Sequence, residues 1–318
     1  MLSLLELFRA LTSFTPRART AQPQNLAKAP WEELVDWAVP QGLAPIMAYN
    51  LEYKFAGGGA PEWARDRLLG LYQGLLNDNV MKLVNFKRSV DALEGRRVVV
   101  LGAATFAEGL YPHVAFRPVS EIRLFMPPFD VQPMAGFLKT AEFKPIETPA
   151  EEGLKPELVV SDTRTVILLH GQLTQDAAED KALLERAKPA KVYGPSMYRL
   201  AYEDALPVEL LFLARAGFDV PFIQWIDVRE LAFSVADPKQ VLERAHAWKL
   251  ERALYAAMQT IARLFPDAAE AAGKLTPDLS LPVRKLLDVG VVDQVAVVGK
   301  RTTARPAEAL RAALTQAL

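Results

Sequence analysis

The chain contains no cysteine and only three histidines, His113, His170 and His246. The lack of cysteine excludes disulfides, thiol catalysis and thiolate metal sites together. The three histidines lie far apart in the chain and show no metal-ligand spacing. The sequence therefore predicts neither a zinc site nor a cysteine nucleophile.

A strong charge of either sign is also missing, because 37 basic residues stand against 38 acidic residues for a net charge of −1. Such a balance produces no overall field that would draw the chain to nucleic acid or to an anionic membrane. No apolar run reaches the roughly 18 residues that a membrane span requires. Residues 1–14 contain Glu6 and Arg9 and lack a basic leader and a cleavage site, so they predict an amphipathic helix rather than a signal peptide.

Hydrophobic residues make up 51% of the 318 residues, which is enough to bury a large core. This length allows one elaborate domain or two smaller ones. The order of segments predicts a helical N-terminal region over residues 1–94, an α/β core over 95–175 and a helical C-terminal region over 176–318.

Residues 96–126 predict a strand, a glycine turn, a short helix and a second strand. Residues 97–101 are rich in β-branched side chains, and Gly102 follows at once, so the chain can turn tightly into a helix. In the second strand, Glu121 and Arg123 alternate with apolar residues in a period of two. We therefore expect the two charged side chains on the same face.

Periodicity predicts most of the remaining elements. The long helix carries a polar triplet at 77–79, expected on its solvated face, and Asp130 is expected to cap the helix at 131. Three glycines at 57–59 have no preceding strand and no following Gly-Lys-Ser/Thr, so they predict a flexible turn rather than a phosphate loop. The predicted helices are 31–39, 43–55, 61–93, 131–140, 181–187, 202–216, 222–235, 238–265 and 306–318; the predicted strands are 157–161 and 165–169, paired as a hairpin, and 295–298 at an edge.

These motifs resemble the nucleotidyltransferase superfold, in particular an uncharacterised bacterial nucleotidyltransferase-like family. Members of that family carry a Lys-Gly-like turn after a strand, then Tyr-Pro, then Arg-Pro-x-x-Asp-Ile-Asp-Leu. The resemblance extends over about residues 31–265 and implies an α/β fold, with a small mixed β-sheet flanked by large helical N- and C-terminal regions. The matching segments are Leu101-Gly102, Tyr111-Pro112, Arg117-Pro118 and Glu121-Ile122-Arg123-Leu124.

The acids that such enzymes use are largely replaced in this chain. Carboxylates on adjacent strands hold Mg²⁺ in the superfold, and the resemblance places Glu121 and Arg123 where two aspartates are expected. The third acid of the family lies two positions before a histidine that corresponds to His170, and Leu168 stands there. Because an arginine repels a cation and leucine offers no oxygen, we do not expect metal-dependent catalysis.

Two interpretations of the charged pair remain open. In the first, Arg123 replaces the metal ion and holds a phosphate, which makes the site an anion sensor. In the second, Arg123 and Glu121 form an ion pair on a decayed site. On the resemblance, the candidate catalytic residue is Glu121, in a degenerate form; the candidate phosphate contacts are Gly102, Ala103, Arg117 and Arg123, and no metal ligand is assigned.

Other residues have weaker signals. Glu108 is expected at the surface, and His170 is expected to be a hydrogen-bonded structural residue. Arg117 either anchors its loop or meets a phosphate. Trp225 and Asp227, in a segment similar to the family's Arg-Trp-hydrophobic-Asp-hydrophobic element, are expected to serve packing and helix capping.

Three functions follow as hypotheses. The first is a pseudoenzyme that acts as a binding or regulatory scaffold. The second is an active Mg²⁺-dependent nucleotidyltransferase that modifies a small molecule or protein, using Glu121 with acids such as Glu108 or Asp130. The third is a protein–protein adaptor that uses its helical surfaces and the terminal helix.

These hypotheses carry expectations about ligands and location. No cofactor is expected, and Mg²⁺ with a nucleoside triphosphate enters only under the second hypothesis. A nucleotide and a protein are the candidate partners, without a membrane or a strong nucleic-acid signal. The expected location is the cytoplasm.

Overall fold

A mixed sheet lies at the centre of the molecule, with helices on both of its faces. The structure is a computed structural model that describes residues 4–13, 26–55, 58–90, 96–146, 156–162, 164–194 and 196–298, with the backbone alone at 4, 5 and 292–298. The predicted fold class is confirmed: the chain is α/β, with a mixed sheet between helical N- and C-terminal regions.

The described helices are α1 (Leu4–Thr12), α2 (Trp31–Ala38), α3 (Ala44–Tyr49), α4 (Glu62–Val90), α5 (Ala103–Gly109), α6 (Pro128–Thr140), α7 (Ala177–Arg186), α8 (Tyr202–Arg215), α9 (Phe222–Ser234), α10 (Pro238–Ala247), α11 (Glu251–Leu264), α12 (Ala269–Leu275) and α13 (Leu281–Val298). The described strands are β1 (Val98–Leu101), β2 (Glu121–Phe125), β3 (Lys144–Ile146), β4 (Leu158–Ser161), β5 (Val166–His170), β6 (Lys188–Pro189) and β7 (Met197–Arg199).

The strand order is β3-β4-β5-β2-β1-β7-β6. Strand β2 runs antiparallel to β1 and parallel to β5, and β4 and β5 form the hairpin predicted from the sequence. In this register Arg123 lies between Leu101 on β1 and Leu168 on β5. The two positions at which the family's acids are replaced are therefore neighbours across a strand pair.

Alternation along β2 divides its side chains between the two faces of the sheet. Ile122 and Leu124 are fully buried and pack with α4 and α6, while Phe125 packs in the second core with α8. Because side chains alternate along a strand, Glu121 and Arg123 lie on the same face as Phe125. The predicted shared face of the two charged residues is confirmed.

The core on the α8 side of the sheet joins both ends of the described chain. It includes apolar residues from α1 to α4, from α8 to α13 and from the sheet. Arg9 of α1 also donates hydrogen bonds to the carbonyl oxygens of Arg263 and Leu264, at 2.5 and 2.6 Å, at the end of α11. The N-terminal and C-terminal helices are thus held together directly.

Two predicted elements and one predicted helix cap are wrong. The single helix over 238–265 is divided, because Lys249 adopts a φ of 57° and no glycine or proline marks the break in the sequence. The strand over 295–298 is the last turn of α13, since a helix that begins at Leu281 continues through the β-branched run. Asp130 is no cap; α6 starts at Pro128, and Asp130 pairs with Arg96 at 2.5 Å.

Parts of several predictions fall outside the described residues. The helix over 306–318 lies wholly beyond them, as do residues 1–3 and 14 of the first predicted helix, residues 91–93 of the long predicted helix and the first of the three glycines at 57–59. Gly58 and Gly59 lie in a turn, in agreement with the prediction for that stretch.

Candidate functional site

A pocket of about 370 Å³ lies between the sheet, α4, α8 and the loops that precede α3 and α9. It is formed where β1 ends and β2 begins, beside the glycine turn. The structure brings the candidate catalytic residue and the candidate phosphate contacts to this pocket, and their roles in binding remain predictions. The candidates that line it are Gly102, Ala103, Arg117, Glu121 and Arg123.

Gly102 joins β1 to α5 in a conformation that favours glycine. Its φ is 62° and its ψ is −137°, a region that side chains with a β-carbon rarely adopt. A β-carbon at this position would meet no other atom within 4 Å. The backbone angle, rather than a lack of space, therefore explains the glycine.

Glu121 and Arg123 form an ion pair at the base of the pocket. The Arg123 Nε and Nη2 atoms donate to Oε1 of Glu121 at 2.9 and 2.5 Å. The side chains are 22% and 29% exposed for Arg123 and Glu121, so the pair is half-buried rather than at the open surface. The Arg123 guanidinium also lies 4.2 Å from the ring centre of Phe212 on α8. Arg123 is therefore fixed by a carboxylate and by an aromatic ring.

Arg117 is held behind the pocket by a buried carboxylate. Its Nε donates to both oxygens of Asp227 on α9, at 2.8 and 3.0 Å, and the Tyr111 hydroxyl donates to the same carboxylate at 2.6 Å. Burial raises the pKa of Asp227, against the opposing effect of the Arg117 charge. Of the two roles considered for Arg117, the structure shows the anchor of the loop to α9. The capping role predicted for Asp227 is wrong.

Asn79 fixes the same loop from α4. Its Nδ2 donates to the carbonyl oxygens of Val114 and Arg117 at 2.7 and 2.8 Å, and its Oδ1 accepts from the Val119 N–H at 3.0 Å. Asn79 is 0% exposed, so the prediction of a solvated face is wrong for this residue. The NH₂ group of an asparagine side chain can donate to backbone carbonyl oxygens while its oxygen accepts from a backbone N–H. Asn79 therefore pairs both kinds of backbone group in a loop that is largely shielded from water.

The turn at Gly102 and the strand that carries Glu121 and Arg123 lie in a segment of the chain that matches a known protein family. A family model described as "Uncharacterised nucleotidyltransferase" matches residues 27–266. The chain belongs to this family. No curated protein and no solved structure matches this chain. The expected resemblance over about 31–265 is thereby confirmed.

The residues of this family member do not fit the magnesium site that the nucleotidyltransferase superfold implies. Arg123 and Leu168 lie side by side where oxygen ligands are needed, and Arg123 engages Glu121. Within the described residues, no cluster of three or more His, Asp or Glu side chains can hold a metal ion. Mg²⁺ requires several hard oxygen ligands, which this arrangement lacks.

The other candidate side chains lie away from the pocket. Glu108 is half-buried and bound to Lys87 at 3.0 Å, and Asp130 is bound to Arg96. His170 is buried against the edge of Phe212, with ring centres 5.8 Å apart. Within the described chain neither nitrogen of His170 has a hydrogen-bond partner, so the predicted hydrogen bond is wrong. Burial lowers the pKa of His170 to about 3.

Glu209 is the site residue that the sequence analysis missed. It lies on α8, is 3% exposed and lines the same pocket as the ion pair. Burial, together with the nearby charge of Asp227, raises the pKa of Glu209 to about 7. One signal was available: between Asp204 and Arg215, Glu209 is the single charged residue in an otherwise apolar helix.

Trp225, by contrast, has the packing role that the sequence predicts. It is 1% exposed and stacks on Phe218, with ring centres 5.7 Å apart. Within the described residues, no helix has the length and hydropathy of a membrane span.

Proposed function

We propose that this member of the uncharacterised nucleotidyltransferase family has lost metal-dependent nucleotidyl transfer and acts as a binding or regulatory scaffold. The observation that carries the proposal is the ion pair between Arg123 and Glu121, with Leu168 beside it. The arginine both occupies the position of a metal ligand and engages the carboxylate that remains. A pocket of about 370 Å³ lies beside the ion pair and has room for a ligand, which supports binding without transfer.

Electrostatics support the same conclusion. Two unit charges about 4 Å apart interact by roughly 4 kcal/mol at an effective dielectric of about 20, and a divalent ion doubles this repulsion. A metal ion beside Arg123 would also have to displace the guanidinium from Glu121. Leu168 provides no carboxylate to offset either the repulsion from Arg123 or the loss of the ion pair.

The first test is a labelling experiment. The full chain is incubated with nucleoside triphosphates labelled at the α-phosphate, in the presence of Mg²⁺ or Mn²⁺, with candidate acceptors. We expect no labelled product. Label that forms with the wild-type chain and is lost in Glu121→Ala would establish the active transferase instead and overturn the proposal.

A second test asks whether the missing oxygens are the cause. The double variant Arg123→Asp with Leu168→Asp restores carboxylates at both positions, and we expect it to bind Mn²⁺ in electron paramagnetic resonance titrations. The matched control, Arg123→Asn with Leu168→Asn, removes the guanidinium without adding charge and is expected to bind far less. Tight Mn²⁺ binding by the wild-type chain that Glu121→Gln abolishes would contradict the proposal.

A protein partner stays a prediction. The described surface offers a short apolar strip on α4 at Val80, Met81 and Val84, each at least 37% exposed. Single exposed apolar residues are common on soluble proteins, so this strip alone does not favour the adaptor hypothesis.

A further inference from the structure

Glu209 is a largely buried carboxylate that lines the pocket without a hydrogen bond from the described residues. The residue is 3% exposed. Within the described residues no donor is hydrogen-bonded or ion-paired to its side chain, and Arg123 and Arg117 act on it only as nearby charges. Polar groups that are largely buried nearly always have a partner in folded proteins, and a charge without one is costly. A donor bound in the pocket can supply that partner to Glu209.

The charges around Glu209 leave the pocket acidic rather than basic. Four charged groups influence it: Asp227 of α9, Arg117 of the loop before β2, and Arg123 and Glu121 of β2. Arg117 is paired with Asp227, and Arg123 is paired with Glu121. Ionised Glu209 then remains as one unmatched negative charge. This arrangement attracts a donor or a cation and opposes a triphosphate.

The rest of the pocket is suited to an apolar or planar body. Apolar side chains from α4, Leu71 and Leu75, and from α9, Ile223, contribute to its wall, with Pro40 and Pro45 near α3. Its volume of about 370 Å³ lies within the range of small-molecule pockets, roughly 300–1,000 Å³. A ligand with one polar end and a compact apolar body fits this distribution.

Building on the proposed role as a binding scaffold, we infer that the pocket binds a small molecule that presents two neighbouring N–H donors to Glu209 from a planar body. The two oxygens of a carboxylate accept a pair of parallel N–H bonds, which gives both strength and orientation. An amidinium group offers such a pair with a positive charge. The edge of a guanine base offers the same pair without charge, whereas uracil offers a single N–H between two carbonyls.

Isothermal titration of the full chain tests this ligand class with four probes. We expect benzamidine or guanosine to bind, and uridine and phenyl phosphate not to bind. Binding of benzamidine alone identifies a cationic ligand, binding of guanosine alone identifies a nucleobase, and either supports the inference. Failure of both at millimolar concentration, or tighter binding of phenyl phosphate, overturns it.

A variant pair assigns the binding to Glu209. Glu209→Gln keeps the shape of the side chain but loses the charge and one acceptor, and we expect about a ten- to hundredfold weaker binding. Glu243→Gln makes the same change at an exposed position of α10 and is expected to bind as the wild type does. Equal binding by Glu209→Gln and the wild type would refute the assignment.

The wild-type chain provides an independent readout if Glu209→Gln does not fold. Because burial raises the pKa of Glu209 to about 7, the carboxylate ionises across neutral pH. Benzamidine stays protonated and guanosine stays neutral over this range, so the affinity of whichever of the two binds is expected to rise from about pH 6 to about pH 8. A flat profile contradicts the inference. The labelling experiment decides the loss of transfer separately, so either proposal can fail without the other.

Discussion

His170 shows how one buried side chain sets a pH dependence. It ends β5 beside Leu169 and lies against Phe212, and its imidazole nitrogens have no hydrogen-bond partner within the described residues. Burial lowers its pKa to about 3. The folded state therefore holds a neutral imidazole, whereas the unfolded state takes up a proton below about pH 6.5.

The first prediction follows from this difference. Between about pH 6.5 and pH 3 the unfolded state binds more protons at His170 than the folded state does. The free energy of unfolding therefore decreases as the pH falls through this range. At about pH 5.5 the loss is roughly 1.4 kcal/mol. His170→Leu has no imidazole that can take up a proton. We therefore expect the unfolding free energy of the variant to fall by about 1.4 kcal/mol less than that of the wild type when the pH is lowered from about 7.5 to 5.5.

Urea denaturation at both pH values measures the shift. The control is His246→Gln, because the His246 side chain is 82% exposed and pairs with Glu251 at the surface. Parallel stability profiles for His170→Leu and the wild type would show that the imidazole is not held neutral in the folded state.

At the scale of elements, α4 does more than cover the sheet. Its residue Asn79 binds three backbone groups of the loop that leads into β2, and this loop also carries Arg117. The position of the loop is thus determined by one helix on one side and by Asp227 of α9 on the other. Both contacts lie next to the pocket, so its wall depends on them.

The second prediction concerns that contact. Asn79→Ala leaves three backbone groups without partners, two of them buried and one half-buried. Each buried group left unpaired costs about 1–3 kcal/mol, and we expect a loss of about 3 kcal/mol or more in unfolding free energy. Asn77→Ala changes the same residue type at an exposed position of α4 and is expected to stay within about 0.5 kcal/mol of the wild type. Equal urea midpoints for the two variants would contradict the role of Asn79.

At the scale of the whole molecule, a single core joins regions that are distant in the sequence. The core on the α8 side includes Trp31 of α2, Trp225 of α9 and Val291 of α13. Arg9 connects α1 to the last turn of α11. The N-terminal region predicted for residues 1–94 therefore buries its apolar side chains against the C-terminal helices as well as against the sheet.

The third prediction is that these regions unfold together. Far-UV circular dichroism and tryptophan fluorescence report on different parts of the molecule, and we expect their urea transitions to coincide because the core is shared. Arg9→Ala is expected to move both transitions to lower urea by the same amount. Two separated transitions, or a shift in one signal alone, would indicate independently folding regions.

Local pattern was sufficient for the elements and for part of the site. Residues 96–126 predict β1, the turn at Gly102 and β2. The signals are local ones: a run of β-branched residues, a glycine, and the alternation of charged and apolar side chains. Alternation also places Glu121 and Arg123 on one face of the strand. The replacement of the family's acidic residues can be read directly from the sequence, given the resemblance. The α/β class followed from the same signals together with the resemblance.

Contacts between distant segments decided the rest. The roles of Asn79, Asp227 and Glu209 depend on partners or neighbours that are far away in the chain, and the break at Lys249 depends on how α10 and α11 pack. Sequence by itself determined which side chains share a strand face, since the period of a strand is a local property. Tertiary structure alone decided which buried polar group obtains a partner, because a hydrogen bond or a charge pair is set by distance in space and not along the chain.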